Sequence, residues 1–458
     1  MLASRSEKVV FSRNGFFEWA FMLRDTFLVP ILAMHLFAAS AASLFLAGAA
    51  GAQSDAARTM ESAGDTPSNP SATEPSHAHV PSSATLARQF ESAAESLPGL
   101  LPDQLHGGHG ISFECLYTGE VFSNTRGGIR TRRATQYQGL LDLIVSADFQ
   151  EAGIPLPGRL FIHGQNSHGR GLTEDFVGDR QTLSNIDSFD NIMQVGEYWW
   201  EMALWDGNLT FILGKQDINN DFVVTDMATD FIQSSFGISP DVAVPTYPAQ
   251  SFAAVVKAQL TKSTECKLGI WDGRPDGGNW GFSGSGVTLT VCEVKSRYEI
   301  GYDDRPGNWY LGAAYHNDDF LHPNRPVENR GNYVVYFGAE QILWRERYTD
   351  EHGDQGLGVF GQYSWSPPHI DTQHQYIGGG LVYHGWLPSR DNDTVGFGVA
   401  HAVFSDAPGQ SSETAIEGFY KAEVTPSIVL QPDIQYIVAP SGRERDALVV
   451  GLRFEVVL

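Results

Sequence analysis

Residues 137–149 read Tyr137-Gln-Gly-Leu-Leu-Asp-Leu-Ile-Val-Ser-Ala-Asp-Phe149, and their alternation decides the fold. Successive side chains of an extended chain point to opposite faces. Tyr137, Gly139, Leu141, Leu143, Val145, Ala147 and Phe149 fall on one face, while Gln138, Asp142, Ser146 and Asp148 share the other with Leu140 and Ile144. One face is apolar and the other wet. The division recurs at 293–300, where Glu293, Lys295, Arg297 and Glu299 oppose Val294, Tyr298 and Ile300, and at the C-terminus, where Arg453 and Glu455 oppose Leu452, Phe454, Val456 and Leu458. A packed core would lose several kcal/mol to desolvation for each unpaired charge placed there. Charges at consecutive inward positions therefore imply a water-filled interior and an apolar exterior, the pattern of a transmembrane β-barrel.

Working outward from this stretch, strands are expected near 114–124, 134–149, 157–165, 192–204, 208–215, 249–261, 264–272, 287–302, 308–317, 331–345, 356–366, 372–386, 393–404, 417–425, 428–438 and 447–458. That is about sixteen, an even number as a single-chain antiparallel barrel requires. The links alternate in length. If the first strand leaves the periplasm, the outer links 166–191, 216–248, 273–286 and 318–330 are long, and the inner ones at Trp205-Asp-Gly207, Thr425-Pro-Ser427 and Asp303-Asp-Arg-Pro-Gly307 are short. Short periplasmic turns with long extracellular loops are the barrel asymmetry; the link near 346–355 breaks it. A barrel of this size encloses an aqueous channel.

Composition agrees with an all-β chain. Of 458 residues, 48 are Gly and 12% are aromatic, which suits pleated strands joined by tight turns. The 54 acidic and 30 basic residues leave a net charge of -24, which argues against nucleic acid and anionic lipid surfaces as partners. Three cysteines cannot form a disulfide framework. Cys266 and Cys292 lie on neighbouring expected strands, either paired or as free thiols, with Cys115 left alone.

The leading residues read as an export segment. Arg24 precedes an apolar run from Phe27 to Ala49 that ends in Ala50-Gly51-Ala52, so residues 1–52 are expected to be a signal peptide, with a membrane-anchoring helix as the alternative and Met22 as a second candidate start. Residues 53–113 are expected to be a flexible periplasmic leader, rich in Ser, Pro, Ala and Thr, with a short helix where Leu86, Phe90, Ala94 and Leu97 share one face. His106 and His109 in this leader lack accompanying carboxylate or thiolate ligands, so they read as a solvated hinge and no metal site is expected. The barrel domain is expected over 114–458.

Five islands add a family resemblance. They are Tyr137-Gln-Gly-Leu-Leu-Asp142; Val177-Gly-Asp-Arg-Gln-Thr-Leu-Ser-Asn-Ile186; Gly214-Lys-Gln-Asp217 with Asn219 and Phe222; Ser234-Ser-Phe-Gly237 before Pro245 and Tyr247-Pro248; and Val424-Thr-Pro426 leading into Leu430-Gln-Pro-Asp-Ile-Gln-Tyr-Ile437. In this order they resemble the carbohydrate-selective outer-membrane porins of the OprB type. The resemblance implies a bacterial outer-membrane barrel of about sixteen strands, loops folded inward to narrow a sugar-selective channel, passive diffusion, and no cofactor. Two features depart from the family pattern: the terminal residue is Leu458 where an aromatic is usual, and the leader is long.

A pore for neutral sugars needs donors and acceptors that replace hydration, and flat aromatic faces. The expected lumen-lining residues are Glu197 and Glu201 beside Trp199; Lys215, Asp217 and Asn219; Arg297 and Glu299; Glu340; Lys421 and Glu423; and Gln431, Asp433 and Gln435. Lys215 and Asp217 lead into the longest outer link, whose Asp221, Asp226 and Asp230 are placed to form an eyelet. Of the adjacent Trp199 and Trp200, one points inward and the other serves as an interfacial anchor. Arg126, Arg130, Arg132 and Arg133 cluster at the first outer loop, facing either lipopolysaccharide phosphates or the pore mouth. Outer-membrane lipid and a carbohydrate are thus the expected partners, in a monomer or homotrimer. Competing functions are a general diffusion porin without sugar selectivity, a polysaccharide-export component and an outer-membrane hydrolase; Gly281-Phe-Ser-Gly-Ser-Gly286 approaches the G-x-S-x-G pattern of the last but lacks the strand-to-helix setting.

Overall fold

The computed structural model of the protein describes residues 110–239, 241, 244–274, 280–301, 304–323, 328–345, 355–405 and 412–457. The expected signal peptide, nearly all of the expected leader with its helix and histidines, and Leu458 lie outside the described residues. Sixteen strands are present among the described residues: β1 Ile111–Arg126, β2 Thr135–Asp148, β3 Arg159–Gly169, β4 Ile192–Leu204, β5 Leu209–Gln216, β6 Ser251–Gln259, β7 Thr264–Asp272, β8 Thr288–Ile300, β9 Arg305–Leu321, β10 Glu328–Arg345, β11 Gly356–Trp365, β12 Gln373–His384, β13 Thr394–Phe404, β14 Ser412–Thr425, β15 Ile428–Val438 and β16 Ala447–Val457. Every expected strand is found. β1 starts three residues before the expected barrel boundary, because Ile111 and Phe113 continue its outward face and extend the pairing of Ile111 with Ala147.

Each strand pairs antiparallel with its sequence neighbours, and β1 closes on β16 with Glu120 opposite Arg453. Closure leaves no unpaired edge, which a hydrocarbon environment demands because it offers backbone groups no partners. Strands of 8 to 18 residues are mostly long enough to cross a bilayer at a tilt. Their outward positions carry Val121, Leu311, Val335, Phe337, Ile377 and Leu452, all more than a third exposed on the isolated chain. This apolar exterior is the surface expected to face lipid.

The interior is not empty. The link from β3 to β4 and the link from β5 to β6 turn into the barrel and meet there: Asn185 N–H donates to the Ile232 carbonyl at 2.8 Å, and Ser234 N–H to the Thr182 carbonyl at 3.0 Å. Phe231 and Phe236 of the second link pack edge-on against Phe360 of β11, and Phe231 does the same against Phe419 of β14. Small inward residues on β12 and β13 make room for them. A Cβ on Gly398 would come within 2.7 Å of both the Phe231 and Phe236 rings, so a larger residue there would push the loop off the wall.

Register decides the cysteines. Cys266 lies opposite Val294 and Cys292 opposite Leu268, so the two thiols are diagonal neighbours on the outward face, and all three cysteines are free.

Candidate pore constriction

The link from β5 to β6 is attached to the wall through its backbone. Asp217, just past β5, accepts from Asn219 N–H at 2.9 Å, Tyr247 N–H at 2.8 Å and the Thr246 hydroxyl at 3.0 Å, tying the two ends of the link together. From there the chain crosses the barrel. Val223 N–H donates to Glu293 of β8, and Thr225 shares a hydrogen bond with the Tyr310 hydroxyl of β9. Met227 N–H donates to Glu340 of β10, and Gln362 of β11 donates to the Phe236 carbonyl. On the far side Ile232 and Gln233 N–H groups donate to the two oxygens of Glu417 on β14, at 2.7 and 3.0 Å. Buried carboxylates that accept backbone N–H groups are satisfied, and they satisfy loop donors that no sheet reaches.

The link from β3 to β4 is held in the same way. Glu413 of β14 accepts from the Arg180 and Gln181 N–H groups, and Glu120 accepts from the Ser184 hydroxyl at 2.7 Å while paired with Arg453.

Between these anchors, the side chains of the crossing loop meet the wall as ion pairs. Asp221 lies 3.0 Å from Lys257 of β6, Asp226 lies 3.5 Å from Lys295 of β8, and Asp230 lies 2.9 Å from Lys421 of β14. Lys257 also reaches Glu201 at 3.9 Å, Glu201 reaches Arg159 of β3 at 3.5 Å, and Lys421 reaches Glu455 of β16 at 3.7 Å. Lys267 of β7 closes the gap by donating to the Asp221 carbonyl and pairing with Glu293 at 2.7 Å. The result is a girdle of alternating sign between wall and loop. Burial would raise the Asp221 carboxyl, but Lys257 and Lys267 outweigh it and hold the group below the usual range; Lys421 does the same for Asp230 against its burial. Asp217 has no such cation. Burial, and then the negative charge of Glu197, push it up to about 7.

The expected lining residues divide along these lines. Glu201 and Lys421 belong to the girdle. Glu197, Asp217, Asn219, Glu340, Gln431 and Gln435 instead secure the loops: Glu197 accepts from Asn220 at 2.5 Å, Asn219 donates to the Phe222 carbonyl, Gln431 to the Asp230 carbonyl and Gln435 to the Leu183 carbonyl. Asp433 is buried beside them and accepts from Gln435. Trp199 faces inward but offers no open face, being 6% exposed and stacked on Phe161 at 4.6 Å. Trp200, on the opposite side of the strand, is buried with its indole N–H on the Pro157 carbonyl. Arg297 and Glu299 are exposed at inward positions towards the short-turn end of β8, and Glu423 accepts from Asn392 at the same end.

Lys215 departs from expectation. It pairs in register with Tyr198 and Phe252, on the opposite face from Glu197 and Trp199. That face is covered by the link after β7, with Trp280 stacked on Tyr198 at 5.1 Å and Phe282 against Phe252 at 5.2 Å. The ammonium of Lys215 donates to the Val195 carbonyl.

Arg159, Lys257 and Lys267 were not singled out from the sequence, and Lys295 stood out there only as an inward charge of its strand. Their signal was inward parity opposite a loop carrying aspartates at intervals. Ser283 of the hydrolase-like motif donates to Asp272 at the end of β7 at 3.0 Å, and the element that follows the motif is a strand, β8, rather than a helix.

A closed barrel whose lumen is crossed by a loop pinned to the far wall, and lined there by charges of both signs, is the architecture of a porin. The description "Carbohydrate-selective porin, OprB family" belongs to the family model that matches residues 132–458. The chain belongs to this family. It is 24% identical to Porin B of Pseudomonas aeruginosa over 76% of this chain and 87% of that one, and 22% identical to putative porin QuiX of Acinetobacter baylyi over 75% and 88%. The high-pH structure of Pseudomonas putida OprB superposes with a TM-score of 0.70 at 21% identity, covering 76% of this chain and 94% of that one. The protein is a carbohydrate-selective porin of the outer membrane, and its family is one of channels rather than enzymes.

Proposed function

We propose that the girdle between the crossing loop and the wall is the selective constriction, and that neutral monosaccharides or small oligosaccharides diffuse through it passively into the periplasm. The observation that carries this reading is the pairing of Asp221, Asp226 and Asp230 with Lys257, Lys295 and Lys421. Paired charges cancel at long range, so a free ion meets little net field, while at contact they present strong donors and acceptors that replace the hydration of a sugar hydroxyl. The partly exposed carboxylates and ammonium groups of the girdle serve that exchange, whereas the wall carboxylates that hold the loops are buried. Residues 1–52 serve export, residues 53–113 form a periplasmic leader whose last three residues run into β1, and the barrel acts as a monomer or homotrimer.

The test is planar-bilayer conductance of the purified protein with glucose, maltose and phosphate added in turn. Concentration-dependent block by a neutral sugar, lost on K257M and K421M, is the expected result. Conductance indifferent to sugars would make this chain a general diffusion porin, and block by phosphate instead would overturn the neutral-substrate reading.

A further inference from the structure

The girdle matches its cations with acids, whereas one sector of the outer rim does not. The link after β1 and the link after β15 lie at the same end of the barrel, joined by the Gly128 N–H on the Arg445 carbonyl at 2.8 Å. Together they gather Arg126, Arg132, Arg133, Arg443 and Arg445, all exposed. None of the five makes an ion pair among the described residues. The link after β15 carries the acids Glu444 and Asp446; Asp446 is occupied by the Tyr436 hydroxyl at 2.9 Å and the Ala439 N–H at 3.0 Å and lies within electrostatic reach of Arg126, so five arginines face two acids. A sector with surplus positive charge, in a chain of net charge -24, calls for an external anion.

Register shows which way the sector faces. A bulge between Asn124 and Arg126 places Arg126 opposite Leu448, which alternates with the exposed outward residues Val450 and Leu452. Arg126 also lies within electrostatic reach of Tyr436, which is outward on β15. At Arg126 the apolar outer wall therefore runs up to the edge of the arginine cluster. Arg130 takes no part, since it folds over Phe176 at 4.5 Å and donates to the Asp175 carbonyl.

We infer that this sector, formed by Arg126, Arg132, Arg133, Arg443 and Arg445, binds the phosphate groups of an outer-leaflet lipid. Guanidinium forks match phosphate oxygens bidentately, and several of them on one rim hold a phosphorylated headgroup while its chains lie on the wall beneath. The inference rests on the outer-membrane placement of the barrel but not on the sugar reading of its lumen.

The probe is purified rough lipopolysaccharide, titrated into the folded barrel in neutral detergent with thermal unfolding as readout and inorganic phosphate in a parallel arm. Lipopolysaccharide is expected to raise the unfolding temperature of the wild type saturably. The quintuple Arg→Gln variant should need at least tenfold more, and salt at about 0.5 M should weaken the wild-type response. Folding of the variant is checked by its heat-dependent gel mobility, and R132Q/R133Q, confined to the exposed first loop, serves if the quintuple variant does not fold. Equal responses of wild type and variant would overturn the inference, as would inorganic phosphate saturating the response alone, which would mark a solute site. Sugar block measured on the same variant should be unchanged, so a failure of the channel reading and a failure of the lipid reading give different results.

Discussion

The carboxylates of the barrel wall and those of the crossing loop meet different partners. Glu293, Glu340, Glu413 and Glu417 on the wall are buried and accept loop N–H groups, so their oxygens are committed to holding the loop in place. Asp221, Asp226 and Asp230 on the loop keep part of their surface open and face wall lysines. Both groups are carboxylates inside the barrel. What separates them is whether the partner is a fixed backbone donor or a flexible cation, and that difference assigns one group to architecture and the other to permeation.

The most disruptive way to break this comparison is Glu417→Ala. It leaves the buried N–H groups of Ile232 and Gln233 without acceptors, at about 1–3 kcal/mol each. The loop should leave the β14 side, and single-channel recordings should show a larger, noisier conductance with weakened sugar block. An unchanged, quiet channel would mean that the phenylalanine contacts hold the loop alone. The triple change D221N/D226N/D230N should act differently. These pairs are only partly exposed, so the change costs some stability, but the strand pairing is untouched and the lysines lose their counter-charges. The reversal potential in a salt gradient should then shift several-fold towards anion selectivity; a potential like that of the wild type would remove the loop aspartates from the pore.

Asp217 sharpens the contrast through pH. Its folded pKa of about 7 lies above the usual carboxylate value because of burial and then Glu197, so the fold prefers the protonated form. The stability it contributes is complete below the unfolded pKa of about 4 and is lost as pH rises through about 7. Denaturant midpoints should therefore fall for the wild type between pH 5 and pH 8, and fall less for D217N. Equal slopes for the two proteins would show that Asp217 does not titrate in that window.

The barrel was legible because its signal repeats: each strand states its two faces afresh, and one misjudged boundary does not disturb the next. The girdle was only half legible. Asp221, Asp226 and Asp230 stood out as an acidic series in a long link, but their partners Lys257, Lys295 and Lys421 sit on three separate strands, β6, β8 and β14, and only the folding of the link into the barrel brings them together. Trp199 read as a sugar platform because its inward parity was plain, while the loop chain and Phe161 that cover it are tertiary facts.

Lys215 is the smallest effect and the sharpest control. Its strand is apolar on both faces, with Leu209, Phe211 and Leu213 on one and Thr210, Ile212 and Gly214 on the other, so alternation could not say which way the lysine points. The bulge in the pairing of His163 and Gly164 with β4 shifts the count further. In the folded barrel the lysine shares the outward face with Tyr198 and Phe252, and its ammonium is spent on the Val195 carbonyl. Lys215→Met should therefore cost some stability through the lost hydrogen bond, about 1 kcal/mol, while leaving sugar block and ion selectivity at wild-type values. Lys257→Met, the same chemical change on the inward face of the neighbouring strand β6, should alter both. If the two variants behave alike in single-channel sugar titrations, the face assignment of β5 is wrong and the division between scaffold and girdle fails with it.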